Sequence, residues 1–218
     1  MWERASKKTR VAKERCEEQR RAFRAQIEQV PVEKLVFLDE CGFALNLHRL
    51  YGWAMGGARC EDEVPFNKGV NLSVVGAFSL PTPDNATGLW ALWHKKEAWT
   101  GLLFELFVQE ELLPRQELLP RLPPGSVLVL DNARIHHRAT LRHAVEEAGH
   151  RLLFLPPYSP DFNPIELVWS WLKHIVRLLA PREDDQRQSA IRHAQKLLPP
   201  QNASAWFRKC GLTPLLTD

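Results

Sequence analysis

Short, dense apolar runs alternate along this chain with longer amphipathic stretches, and the rhythm predicts its elements. Leu35–Leu38 and Val127–Leu130 are unbroken four-residue apolar runs, each followed at once by an aspartate, Asp39 and Asp131. Runs without polar alternation predict strands buried on both faces. Leu152–Leu155 is a third such run, cut off by Pro156-Pro157. Asn71–Leu80, rich in Val and Phe, predicts a strand ended by the turn Pro81–Asn85, and Gly88–His94 is apolar on both sides and fits an inner strand. Phe43–Leu50, Gly52-Trp53-Ala54 and Gly56-Gly57 predict a hairpin that turns back along the first strand.

Helical spacing fills the gaps. Thr100 is placed to cap a helix through Leu113, with Leu102, Leu103, Leu106 and Phe107 on its apolar side. Arg138–Ala148 predicts a helix closed by Gly149, with Leu141, Ala144, Val145 and Ala148 along one side. Asn163-Pro164 opens a helix whose apolar face is Ile165, Val168, Leu172, Ile175 and Leu179. Glu3–Gln29 predicts a charged helix stopped by Pro31; Pro181–Gln195 predicts a polar helix with Glu183, Asp184 and Asp185 in its first turn; Ala203–Cys210 predicts a short last one. Hairpin-like strands followed by alternating helix and strand describe an α/β sheet layer. The chain divides into a basic N-terminal helix or connector (1–31), a main domain (32–180) and a helical extension (181–218).

Composition narrows the class. With 218 residues, 44% hydrophobic and 25% charged, this is a soluble globular chain able to bury a full core. No run approaches the apolar length of a membrane span, and the charged N-terminus has no secretory h-region. Four scattered cysteines without a CxxC argue against a zinc site or disulfide framework and predict a reducing, cytoplasmic setting. Net charge is only +3, but residues 1–25 hold nine Lys/Arg against four Glu. That arm suits a phosphate backbone; it equally fits a solvated helix in which Glu14, Glu17 and Glu18 pair with basic neighbours.

The chemistry gathers on carboxylates. Two strands ending in Asp39 and Asp131, and a helix carrying Glu166 in its first turn, bring three to one sheet edge. Carboxylates repel unless a cation lies between them, and Mg²⁺ takes such hard oxygens together with phosphate and water. A pair of ions roughly 3.5–4 Å apart serves phosphodiester cleavage. Each residue also has a plain structural role: Asp ends strands at turns, and Asn163-Pro164-Ile165-Glu166 spells a capping box. Glu40, next to Asp39 on a strand, faces the other way and supports the cluster from behind. His136 and Asn132 are candidates to orient a carboxylate or touch phosphate. Lys173 and Arg177 share the helical face of Glu166, placed for phosphates or simply solvated. Asp161 is expected to be a turn residue in a loop shaped by Tyr158 and Pro156-Pro157. The tryptophans are expected in the core, except that Trp53 near the hairpin tip is able to stack on an unpaired base.

FLDECGF, LVLDNARIHH and LPPYSPDFNPIELVWSWLK stand in this order, with 34 residues between Asp131 and Glu166. They resemble the three catalytic blocks of the IS630 branch of the IS630/Tc1-mariner transposases, from about Leu35 to about Leu179. The resemblance implies a ribonuclease-H-like mixed sheet flanked by helices, with Asp39, Asp131 and Glu166 as the DDE triad holding two Mg²⁺, or Mn²⁺ in their place. It implies cleavage of phosphodiesters at transposon ends and strand transfer into target DNA, typically at TA, by an assembly that is at least a homodimer. The segment before Pro31 is too short for the helix-turn-helix domains that read such ends, so a separate end-binding protein is an expected partner. A nuclease of this fold that only hydrolyses, and a silent transposase-derived DNA-binding protein, are the alternatives.

Overall fold

Strand β1 (Leu35–Phe43) is the axis of the sheet in the computed structural model, which describes residues 12–49, 51–56, 58–61, 63, 66, 69–113 and 122–213. On one side β2 (Leu72–Phe78) pairs antiparallel with it and then with β3 (Leu89–Lys95). On the other, β4 (Val127–Leu130) and β5 (Arg151–Phe154) run parallel to it, giving the order β3-β2-β1-β4-β5. Parallel pairing requires a crossover, and α3 (Ala139–Glu147) is the crossover between β4 and β5.

Alternation along β1 decides what covers each face. Leu35, Phe37 and Phe43 pack with Phe23, Val168, Trp169, Ile191 and Phe207. These come from α1 (Glu17–Ile27), α4 (Ile165–Leu179), α5 (Asp184–Lys196) and α6 (Asn202–Lys209). Val36 and Leu38 point the other way, into a cluster with Phe104 and Phe107 of α2 (Gly101–Glu111) and Leu141 and Val145 of α3. Four helices therefore cover one face and two the other, a mixed sheet in an α/β layer. Because both faces are covered, the strands read as continuous apolar runs.

Several elements differ from their predicted form. No strand forms among the described residues between Phe43 and Leu72, so the hairpin expected there is absent from them. β1 pairs instead along its second half with the apolar β2, Asp39 opposite Gly76 and Phe43 opposite Leu72. Trp53 is fully exposed in that intervening segment. Asp39 consequently lies inside β1 and does not end it. α1 begins at Glu17, with Glu17 and Glu18 favourably placed in its first turn; residues 3–11 of the predicted helix lie outside the described residues, and 12–16 are not helical. In α4 the apolar face forms as patterned except at Leu179, 47% exposed at the C-terminus, where Ala180 turns left-handed at φ 46°. Thr100 does cap α2, its side chain accepting from the Leu103 N–H at 3.3 Å.

Candidate active site

The register of the sheet brings the carboxylates together. Leu35 pairs with Val127 and Phe37 with Val129, so the same offset continued along β1 sets Asp39 level with Asp131, just past β4. Asp39 has the parity of Leu35 and Phe37, so it faces α4. Glu166 stands in the first turn of that helix. Asp39, Asp131 and Glu166 line one cavity of about 420 Å³, together with Asn132, Tyr158 and Asn163.

The capping box is not made. The Asn163 N–H donates to the Pro160 carbonyl at 2.9 Å, so the Glu166 carboxylate does not receive it. Asn163 instead caps alone, its Oδ1 accepting from the Ile165 N–H at 3.3 Å. That leaves Glu166 turned to the cavity. Burial raises its pKa, Lys173 pulls against that rise, and the charge of Asp131 adds to it.

Asp39 is only 9% exposed and accepts a hydrogen bond from the Trp169 indole at 3.1 Å. Burial, then the charges of Glu166 and Glu40, push its pKa up to about 8. The indole has room because Gly76 lies opposite Asp39 on β2; a Cβ there would meet Trp169 Cη2 at 2.9 Å. Nothing in the sequence marked Trp169 as more than a core aromatic, although its place three residues after Glu166 puts both on one side of α4.

Asp131 is held from the other side. Its Oδ1 accepts from the Ala133 N–H at 2.9 Å and pairs with His136 Nδ1 at 2.8 Å. His136 is completely buried, its ring 4.3 Å from that of Phe104, and its Nε2 meets Glu40 Oε1 at 3.0 Å. Burial works to lower the His136 pKa, but hydrogen bonds and charge from Asp131 and Glu40 prevail and raise it to about 10. The ring is thus an imidazolium between two carboxylates. Burial works to raise the Asp131 pKa, and the bonds from His136 and Ala133 bring it below the usual carboxylate range. Glu40 faces away from Asp39, as alternation requires, and reaches Asp131 through His136.

The remaining candidates separate. Asn132 lines the cavity, its Oδ1 bonded to His137 Nε2 at 2.6 Å. Lys173 acts electrostatically on Glu166 and Cys41 and lies 5.8 Å from the centre of the Phe43 ring. Arg177 lines a different cavity, with Arg49, Tyr51 and Cys60, because a further turn of α4 carries it away from the carboxylates. Asp161 is no simple turn residue: both its oxygens accept from Arg20 of α1, at 2.9 and 2.6 Å.

The donor set suits a hard divalent cation: oxygens only, on a shared wall, with Glu166 raising the proton affinity of Asp39 and Asp131 that of Glu166. As the side chains are turned, no three such groups among the described residues stand close enough to ligate one ion. Asp131 is engaged by His136 and Asp39 by Trp169.

A mixed sheet of this order with helices on both faces is the ribonuclease-H-like fold, and solved structures of Mos1 transposase share it. The Mos1 strand transfer complex matches with a TM-score of 0.68 and 16% identity, over 97% of this chain and 63% of that one. The Mos1 mariner paired end complex with Mn matches at 0.65 and 16%, over 97% and 64%. The Mos1 catalytic domain with raltegravir and Mn matches at 0.56 and 13%, over 89% and 84%. This chain therefore spans less than two-thirds of the length of the Mos1 chains in the two complexes. Residues 34–187 match the DDE superfamily endonucleases, and the chain belongs to that family. Among curated proteins no sequence match is found.

Proposed function

We propose that this chain is the catalytic domain of a DDE transposase of the IS630 type, cutting phosphodiesters at transposon ends and joining them to target DNA. One observation carries it. Asp39, buried and held at a pKa of about 8 partly by the charge of Glu166, lines the same cavity as Glu166 and Asp131. A buried carboxylate beside two others is costly to ionise until a cation joins them.

Asp39, Asp131 and Glu166 would hold Mg²⁺ or Mn²⁺, as two ions, and paired end complexes of Mos1 have been solved with Mn and with Mg. When bound, such ions polarise water and the phosphoryl oxygens. Trp169 fixes the orientation of Asp39, and the Glu40–His136 pair fixes Asp131. Asn132 lies on the cavity wall, where its amide would be within reach of a phosphate or sugar. Lys173 offsets the negative charge of Glu166. Paired-end and strand transfer complexes of Mos1 support transposon ends and target DNA as partners; the IS630 resemblance adds TA as the typical target and a homodimer as the working assembly. Residues 1–31 would connect to end recognition, supplied by an upstream domain or by a separate helix-turn-helix protein; 32–180 would hold the chemistry, with 181–218 as its helical extension. No helix among the described residues is long and apolar enough to cross a membrane, which suits a cytoplasmic DNA-acting protein.

Calorimetry with Mn²⁺ tests the metal site. Asp131→Asn and Glu166→Gln each weaken binding by about tenfold or more; thermal stability holds or rises in Glu166→Gln, where repulsion is relieved, and falls in Asp131→Asn, which takes the paired carboxylate from buried His136. Binding that is unchanged in both variants would sink the proposal.

A further inference from the structure

We infer that α1 sets the position of Glu166 by gripping the loop that leads into α4, with Arg20 and Asp161 as positioning residues. The inference rests on the metal-site proposal above. Arg20 is 1% exposed, yet it reaches across 141 residues of sequence to bond both oxygens of Asp161 with its two terminal nitrogens, at 2.9 and 2.6 Å. This fork-to-fork geometry fixes direction as well as distance. The same guanidinium lies 3.9 Å over the Phe162 ring, Arg24 lies 5.0 Å from it, and Phe23 stacks on it at 5.5 Å. Arg20, Phe23 and Arg24, at i, i+3 and i+4 on one face of α1, thus hold two adjacent loop residues.

From those residues to Glu166 the backbone has no slack. Phe162 N–H donates to Ser159 at 3.1 Å, Asn163 N–H to Pro160 at 2.9 Å, and Glu166 N–H to the Asn163 carbonyl at 3.2 Å. The Asn163 side chain closes the gap by accepting from Ile165. A displacement of Asp161-Phe162 is therefore passed to the first turn of α4. On the upstream side Tyr158 sits at φ 54°, a conformation costly for a bulky residue, so the loop needs an outside hold to keep it. Burial alone does not require an arginine here, because Phe23 and Ile27 already seat α1 in the core. An ion pair with one partner buried and the other half exposed adds little stability over an apolar residue of its size, but the two-pronged bond fixes the direction of the loop. Arg20 is also lost to the basic arm as a phosphate contact, since its charge is spent inside the protein.

Arg20→Met keeps the buried volume and leaves Asp161, half exposed, to water, so the fold is expected to survive. Asp161→Asn is the second variant should Arg20→Met fail to fold. The full chain is measured by amide hydrogen exchange and by Mn²⁺ calorimetry. Either variant is expected to unfold cooperatively, to exchange faster across residues 159–166, and to bind Mn²⁺ about tenfold more weakly. Arg20→Lys, which keeps the charge without the fork, recovers part of the affinity. The double variant binds no worse than Arg20→Met alone. Unchanged exchange overturns the inference, and so does faster exchange with unchanged Mn²⁺ affinity. If Mn²⁺ binding by the parent protein ignores Glu166→Gln, the metal-site proposal fails by itself, and exchange at the Glu166 amide still decides whether α1 holds the loop.

Discussion

Asp39 concentrates the electrostatic cost of the site in one carboxyl. Its pKa of about 8 in the folded chain lies far above the ordinary 3.8. The folded state therefore keeps a proton that the unfolded state has released, and Asp39's contribution is most favourable below pH 4 and is lost as pH rises through about 8. In metal-free protein, Asp39→Asn should melt increasingly higher relative to the parent as pH rises from 5 to about 8, the gap then levelling off at a size on the order of several degrees. His136, raised to about 10, weakens both proteins in the same direction, so the difference isolates Asp39. Parallel melting curves across that range would refute the assignment. The three carboxylates were legible in the sequence because each follows an apolar run or opens a helix. Their partners were legible only in part: the sequence offered His136 to orient a carboxylate and Glu40 as support from behind, but not that these two meet across 96 residues, and Trp169, which meets Asp39 across 130, read as core.

Strand parity carries the site at the next scale. β1 turns Asp39 toward α4 and Glu40 toward α2, and α4 aims both Glu166 and Trp169 back at the sheet. Gly76 is the element contact that makes this close approach possible. An added methyl would stand 2.9 Å from Trp169 Cη2 and 3.3 Å from the Ala91 carbonyl. The indole is 2% exposed and has no open side to yield toward. Gly76→Ala should therefore cost roughly 1–3 kcal/mol by overpacking, read as a lower denaturant midpoint, and should loosen the hydrogen bond to Asp39. A midpoint shift worth less than about 0.5 kcal/mol would show that α4 is free to move away. The strands and helices themselves were largely legible, since period and run length reflect burial directly. The segment after Phe43 was not: its Trp and Gly residues suggested a hairpin, but β2 offers β1 a longer apolar partner, and register depends on that competition.

For the whole molecule, chain order and packing divide the protein differently. The family match ends at residue 187, and the sequence reads the last helices as a polar extension. Yet Phe207 of α6 is 1% exposed, edge-on to Phe37 of β1 at 5.6 Å and tilted against Phe78 of β2 at 5.8 Å. It shares that cluster with Phe23 of α1, so both ends of the chain cover the sheet face that holds Asp39. Amphipathic counting missed this because α5 and α6 bury few apolar side chains, and α5 seats a wholly buried Arg187 on the Phe43 and Val70 carbonyls. Such an arginine reads as surface charge until its partners are known. Phe207→Ala should remove about 3–5 kcal/mol, a large share of a typical folding free energy of about 5–15 kcal/mol. That corresponds to a fall in melting temperature of roughly 6–20 °C for a chain of this length. The transition should remain single, because the cavity opens in a core common to α1, β1 and α6. A second, separate low-temperature transition with the main one unmoved would mean instead that the C-terminal helices fold as an independent cover.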